Sequence, residues 1–467
     1  MKDFPLLIGG RLVDGDMTMD VINPASEETV ATCARASKAQ LDQAVAAAKA
    51  AFPAWSKTPI AERKAVIAKI AGALEANAGE LARLLTQEQG KPIGDATFEV
   101  YGAAAFFKYF TMLDLPVKVI EDSDKKRVEA HRRPLGVVGA ITPWNFPLIL
   151  MAFKVPAALL AGNTIVLKPA ATTPLATLKF GALIKDLVPP GVINIIADAN
   201  DLGGALTAHP DVRKVSFTGS TATGKKVMEN AASALKRITL ELGGNDAAIV
   251  LDDVDPKATA PKIFQGAFQN NGQVCIAVKR VYAHEKIYDS LCSELASLAD
   301  AAVIGDGLEQ GTQIGPLQNK MQYDRVKELL EDAKKHGKVI AGGTVPDRAG
   351  YFIRPTIVRD IEDGTRIVDE EQFGPVLPVI KFSDAEDALK RANASPWGLG
   401  GSVWSSNAER AYGIAERMDS GTVWINQHAD LAPNVPFGGA KQSGMGIELG
   451  EEGLAEFTQL QVINIAR

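Results

Sequence analysis

The chain has little of what several protein classes require. Only three cysteines occur in 467 residues, Cys33, Cys275 and Cys292, so at most one disulfide can form and no paired metal spacing exists. Five histidines, none in a His-x-x-x-His pattern, leave no zinc site or other metal expected. No apolar run approaches the roughly 20 residues that span a bilayer. The opening Met1-Lys-Asp-Phe-Pro has no apolar signal core. Positive charge is not in surplus: the formal net charge is -6, and the densest basic cluster, Asp124-Lys-Lys-Arg127, lies beside acids. That balance argues against a surface built for nucleic acid or an anionic membrane. No internal repeat or low-complexity tract is visible. The expectation is a reduced, cytoplasmic globular protein, too long for one small core and so of two or more domains.

What is present is first helical, then alternating. Ile8-Gly-Gly-Arg-Leu-Val13 reads as a short hairpin arm. Leu41, Val45, Ala48 and Phe52 recur at helical spacing behind a cap at Ser37 or Asp42. Pro59 opens a second helix through Val66, Ile70 and Leu74, whose face Leu81, Leu84 and Leu85 continue, and another helix covers about Asp95 to Leu113. These read as packing helices with nothing catalytic. Glu121 to Arg133 is polar and extended. Then come β-branched runs suited to strands buried on both faces: Leu135–Ile141, Thr164–Leu167, Ile193–Ile196, Lys214–Phe217 and Ala247–Leu251. A second set follows Cys275, at Arg280–Ala283, Val376–Ile380, Gly401–Trp404 and Gly421–Ile425. The alternation predicts an α/β fold of two open sheets with a boundary near Gly243-Gly244.

Several short motifs carry chemistry. In Gln269-Asn-Asn-Gly-Gln-Val-Cys275 a polar turn precedes one cysteine between small apolar runs, a placement that suits a thiol nucleophile and equally a buried small hydrophobe. In Phe217-Thr-Gly-Ser-Thr-Ala-Thr-Gly-Lys-Lys226 a strand turns into a helix whose amides can hold a phosphate. It nearly spells a P-loop, but Lys226 stands where a Ser/Thr should bind magnesium, and the three-glycine dinucleotide fingerprint is missing. A P-loop-like nucleotide-binding protein is thereby the weaker alternative. Thr142-Pro-Trp-Asn-Phe-Pro147 brackets Trp144-Asn145 with prolines. That fixes either a turn with a self-satisfied asparagine or an amide donor for an oxyanion. Glu241-Leu-Gly-Gly244 puts a carboxylate before a flexible joint, a strand end or a general base.

Taken together, these blocks with Lys168-Pro169, Glu371-Gln-Phe-Gly-Pro375 and Pro436-Phe-Gly-Gly439 resemble the aldehyde dehydrogenase superfamily, in its order and approximate spacing over nearly the whole chain. The resemblance implies two Rossmann-like α/β domains plus a small β oligomerisation arm. The cofactor domain would comprise residues 1–115 and 135–243, the catalytic domain 244–442, and the arm 116–134 and 458–467. It implies Cys275 as the nucleophile forming a thiohemiacetal and then a thioester, Asn145 and the Cys275 amide as oxyanion donors, and Glu241 as the base for hydrolysis. The acyl-transferring branch typically lacks that glutamate. Lys154 and Glu448 match a pair that relays protons in some members. Around the cofactor it implies Thr142, Trp144, Lys168, Ala171, Gly219, Ser220, Gly224, Leu242, Glu371 and Phe373.

Two departures from the family pattern matter. NAD-selective members commonly carry a glutamate three residues after Lys168, where this chain has Ala171. NADP is therefore expected to serve well, with NAD also accepted. Succinate-semialdehyde members usually place an arginine where Phe153 stands. The implied substrate mouth of Phe146, Ile149, Leu150, Phe153, Val274, Ile276, Leu431 and Phe437 is apolar and suits a neutral aromatic or aliphatic aldehyde better than a polar-tailed semialdehyde. His428 and Asp430 could add a polar contact to this mouth, but read more readily as solvated loop residues. The arm implies a homodimer or homotetramer.

Overall fold

The computed structural model describes residues 4–467. Met1–Asp3, which begin the first expected domain and the stretch read for a signal core, lie outside the described residues. Local chemistry starts the first helix where the sequence suggested. Ser37 accepts from the Gln40 amide while the Gln40 side chain answers the Ser37 amide, a capping box for the helix Lys38–Trp55. Pro59 precedes the helix Ile60–Ala76. The leucine face does not run on unbroken. Asn77 leaves helical geometry (φ -114°, ψ 18°) and its Nδ2 donates to Ala73 O at 2.8 Å, so the chain restarts as a separate helix, Ala78–Gln89. An asparagine bonded to the preceding turn competes with the helical ladder, and apolar spacing alone does not register it. The next helix, Ile93–Phe110, begins and ends slightly earlier than expected and packs on the short helix Pro147–Ala152 that follows the Trp-Asn motif.

Eight strands form the first sheet in the order Arg11–Val13, Leu6–Ile8, Ile193–Ile195, Thr164–Lys168, Val137–Ile141, Val212–Thr218, Arg237–Glu241, Gly444–Met445. Its five inner strands are parallel, and both edges are antiparallel additions. The expected hairpin thus extends the sheet instead of standing apart. Val137–Ile141 and Thr164–Lys168 are buried throughout, as β-branched runs in a parallel sheet should be. Chain order moves outward from Val137–Ile141 in one direction, then returns to its other side with Val212–Thr218. The crevice beyond the carboxyl ends of those two strands is the topological switch point, where open α/β sheets bind ligands. Thr142 and Gly219 sit there.

Gly243-Gly244 carries the chain from Glu241 to the second sheet, of seven strands. Their order is Lys338–Ala341, Thr356–Arg359, Val376–Phe382, Val278–His284, Asp246–Val250, Gly400–Trp404, Thr422–Ile425. All the strands expected after Cys275 are among them. A third sheet has three strands: Lys126–Pro134 is central, Thr458–Ala466 pairs antiparallel with it over its whole length, and Lys118–Asp122 pairs on its other side. Val119, Ile120, Leu460, Val462 and Ile465 are exposed on it. Among the described residues no helix is long and apolar enough to cross a membrane.

Candidate active site

The loop holding Cys275 is built by backbone that turns the wrong way for most residues. After the helix Pro256–Phe268, Asn270 (φ 50°), Asn271 (φ 58°) and Gly272 (φ 75°) are left-handed in succession. Asparagine tolerates this conformation through local hydrogen bonds. Glycine is needed at 272 because a Cβ there would stand 2.5 Å from Gly374 O. Side chains then secure the loop. Asn271 Nδ2 donates to Gly315 O at 3.0 Å, and Gln273 Oε1 accepts from the Gln318 amide at 2.8 Å.

Four successive carbonyls around the thiol are each held by a buried side chain. Asn145 Nδ2 donates to Gln273 O at 2.9 Å. Lys279 Nζ donates to Val274 O at 3.0 Å and to Cys275 O at 2.5 Å. His428 Nε2 meets Ile276 O at 2.8 Å, with Ser402 Oγ 3.0 Å from Nδ1. The expectation for His428 as a solvated loop residue is corrected: its ring is fully buried between Ile276 and Ser402, beside Trp424. Burial pushes its pKa down to about 3, so the ring is neutral, donates through Nε2 and accepts from the serine through Nδ1. Asp430 is exposed as expected, and only its carbonyl acts, accepting from Trp424 Nε1.

Asn145 is fixed from behind by residues that sequence reading passed over. Lys91 Nζ donates to Asn145 O at 2.9 Å, pairs with Glu99 at 2.5 Å and lies 3.7 Å from the centre of the Phe146 ring. Glu99 Oε1 also accepts from the Leu148 and Ile149 amides. Lys91 and Glu99 are both buried, so the helix Ile93–Phe110 and the loop before it do more than pack. The available signal was three charged residues four apart, Lys91, Asp95 and Glu99, within a segment otherwise rich in apolar and small side chains.

Glu241 ends the strand Arg237–Glu241, is buried, and has no hydrogen-bond partner on either carboxylate oxygen. Burial raises its pKa well above the usual carboxylate range, Glu448 raises it further, and Lys154 pulls it back. Lys154 and Glu448, distant in sequence, form a buried pair at 2.5 Å, with Ser216 Oγ 3.1 Å from the lysine and 3.0 Å from the glutamate. Cys275 itself is half-buried. Desolvation pushes its thiol up to about 12 against the pull of Lys279, with Glu241, Asp246 and Glu371 adding to the rise. Cys33 and Cys292 are free but buried.

The expected cofactor residues gather at the switch point. Gly219 follows the strand Val212–Thr218, and Ser220 caps the helix Thr221–Ala232 by accepting from the Thr223 amide. A Cβ on Gly224 would lie 2.4 Å from Leu242, so these two residues seat the helix on the sheet. Thr142 Oγ1 is buried without a partner. Lys168 Nζ is 2.5 Å from Asp198, and Ala171 is half-buried. Glu371 accepts from the Gly244 amide at 3.1 Å and lies 3.4 Å from Lys279; a Cβ on Gly243 would stand 2.2 Å from it. Phe373, at φ 48°, meets the Trp144 ring edge-on at 5.3 Å. An orphaned hydroxyl and glycines that admit close approach fit a dinucleotide laid across the crevice.

All eight substrate-mouth candidates, like Cys275, belong to or pack against the large hydrophobic core around the first sheet. Phe146, Ile149 and Leu431 are partly exposed, whereas Leu150, Phe153, Val274, Ile276 and Phe437 are buried. Phe153 packs on Phe106 at 4.8 Å.

A resting thiol so strongly desolvated has a simple consequence. With no cofactor added, iodoacetamide labelling of Cys275, followed by peptide mass spectrometry, is expected to rise about tenfold per pH unit through about pH 9. A plateau near pH 7 would contradict the desolvated-thiol account.

Comparison with known proteins agrees with this geometry. Residues 12–463 match the Aldehyde dehydrogenase family. The chain is 40% identical over 463 residues to "Aldehyde dehydrogenase LUC3" of Fusarium sp, covering 98% of each chain. It is 40% identical over 453 residues to "Retinaldehyde dehydrogenase 3" of Rattus norvegicus, covering 95% of this chain and 88% of that one. Among solved structures, the NAD+ complex of an aldehyde dehydrogenase from Bacillus cereus superposes with a TM-score of 0.97 at 38% identity, covering 99% and 96% of the two chains. The chain belongs to the aldehyde dehydrogenase family.

Proposed function

We propose that the protein oxidises a neutral aromatic or aliphatic aldehyde to the carboxylic acid with NAD+ or NADP+, through a covalent intermediate on Cys275. The observation that carries this reading is a half-buried thiol on a loop whose carbonyls are pinned, electrostatically coupled to a buried carboxylate with no partner. Once the thiol proton has passed to water, sulfur attacks the carbonyl carbon as the C=O double bond opens, and the second proton of Asn145 Nδ2 joins the Cys275 amide in holding the oxygen. That stabilises charge present only after attack, which is where binding energy accelerates a reaction. NAD(P)+ held in the crevice would supply the acceptor for the hydride whose loss turns the Cys275 thiohemiacetal into a thioester. Glu241 then takes a proton from water as the water attacks the thioester carbon, releasing acid and restoring the thiol. The Lys154–Glu448 pair, which acts on Glu241 in opposite senses, is the proposed route for its proton.

Lys168, Gly219, Ser220, Glu371 and Phe373 would bind the dinucleotide, with Thr142, Trp144, Ala171, Gly224 and Leu242 shaping the crevice. In this reading residues 135–243 carry the cofactor and 244–442 the nucleophile. Three free thiols fit a reducing compartment, the cytoplasm. The apolar mouth candidates, with Phe153 where an arginine would meet a distant carboxylate, and the relative named "Retinaldehyde dehydrogenase 3" both support an uncharged substrate over a polar-tailed semialdehyde. The small sheet, with an open edge at Lys118–Asp122, supports a homodimer or homotetramer.

Two measurements test these readings. Cys275→Ala is expected to lower aldehyde-dependent cofactor reduction by several factors of ten, while Cys33→Ala and Cys292→Ala leave it nearly intact. More than about a tenth of wild-type rate in Cys275→Ala would sink the covalent mechanism. Light scattering should read the mass of two or four chains at all working concentrations; a concentration-independent monomer would remove the assembly proposal.

A further inference from the structure

Lys168 ends the parallel strand Thr164–Lys168, and Asp198 lies just past the end of the neighbouring strand Ile193–Ile195, so both stand at the carboxyl edge of the first sheet. Asp198 is fully buried. Its Oδ1 is 2.5 Å from Lys168 Nζ and its Oδ2 accepts from the Leu202 amide at 2.7 Å, so backbone and lysine fix the carboxylate from two sides. Lys168 is therefore not a free cation. The arginine tied to this loop, Arg35, is itself paired with Asp201, whose Oδ1 accepts from the Ala199 amide.

From this arrangement we infer that Asp198 is a cofactor-specificity residue, which supplies from a different strand the negative charge that Ala171 does not provide, and that it biases the site toward NAD+ over NADP+. The inference rests on the reading that Lys168 faces the adenosine ribose. With Lys168 neutralised by Asp198, a ribose hydroxyl still finds a lysine proton and a nearby carboxylate acceptor. A 2′-phosphate brings a dianion against a buried carboxylate and finds no unpaired cation among the residues just named. Such a charge cannot relax away, because burial limits screening and the Leu202 amide holds the carboxylate in place. A selectivity of about tenfold or more in dissociation constant corresponds to one charge-assisted hydrogen bond gained or lost.

The test is calorimetric binding of NAD+ and NADP+ to the full-length protein, without aldehyde and so without turnover. Wild type is expected to bind NAD+ at least about tenfold more tightly. Asp198→Asn keeps an acceptor for the Leu202 amide and removes the charge, and is expected to shrink the ratio of the two dissociation constants by about tenfold. Adding Ala171→Glu to Asp198→Asn should restore NAD+ preference, because a carboxylate returns from the other side of the ribose. An unchanged ratio in folded Asp198→Asn, with both dinucleotides binding, overturns the role of Asp198 and leaves the functional reading intact. Binding of neither dinucleotide to wild type overturns the functional reading and this inference with it. Should a thermal melt show Asp198→Asn unfolded, wild type alone decides: NADP+ bound as tightly as NAD+ overturns the inference.

Discussion

The hydrogen bond from Asn145 Nδ2 to Gln273 O is the joint on which the site depends. Asn145 sits on the loop that leaves the first sheet at its switch point, and Gln273 sits on the loop that enters the second sheet. One amide thus sets the distance between the candidate oxyanion donor and the candidate nucleophile. The joint is held on both sides. Lys91 and Asn270 Nδ2 both donate to Asn145 O, and Gln273 is itself anchored to Asn270 and Gln318. Breaking a buried pair such as Lys91–Glu99 by removing one partner typically costs about 3–5 kcal/mol. Because Lys91 also positions the Asn145 backbone, damage to that pair would reach the chemistry as well as the core.

Charge around the thiol and the Glu241 carboxylate is arranged about two lysines. Lys279 ties the Val274 and Cys275 carbonyls and lies within 3.4 Å of Glu371, so the loop of the nucleophile and the acid at the cofactor crevice share one cation. Lys154 does the corresponding work for Glu241, offsetting the repulsion of Glu448. Without the first lysine the thiol would be still harder to ionise; without the second, the carboxylate would be. Both groups are proposed to act in their deprotonated forms, yet burial favours the protonated form of each. In the proposed cycle, proton removal is therefore a step of its own, and water and substrate must alter these environments as they enter.

Legibility followed the range of the interactions. Parallel strands could be read because burial on both faces demands apolar runs, and Val137–Ile141 or Thr164–Lys168 had no alternative. The capping box at Ser37 is equally local. The break at Asn77 was hidden because a helix-compatible residue became a terminator through one side-chain bond. Cys275, Glu241 and Asn145 stood out through motif order, but Lys91, Glu99, Asp198 and the buried His428 did not. Each gains its role from a partner tens to more than a hundred residues away, as with His428 and Ile276, and no pattern in the neighbouring residues encodes that. Lys154 and Glu448 were legible through resemblance alone; their pairing across nearly three hundred residues is a fact of the fold.

The division of labour between thiol and carboxylate is the central claim, and Glu241→Gln separates the two. In a stopped-flow experiment with aldehyde and cofactor in excess, the account predicts a burst of reduced cofactor of about one equivalent per site, followed by a slow steady state. Intact-protein mass spectrometry of the same mixture should show the acyl group retained on Cys275. Loss of the burst, with no acyl-protein at any time, would mean that Glu241 acts before hydride leaves and that the proposed role in hydrolysis is wrong.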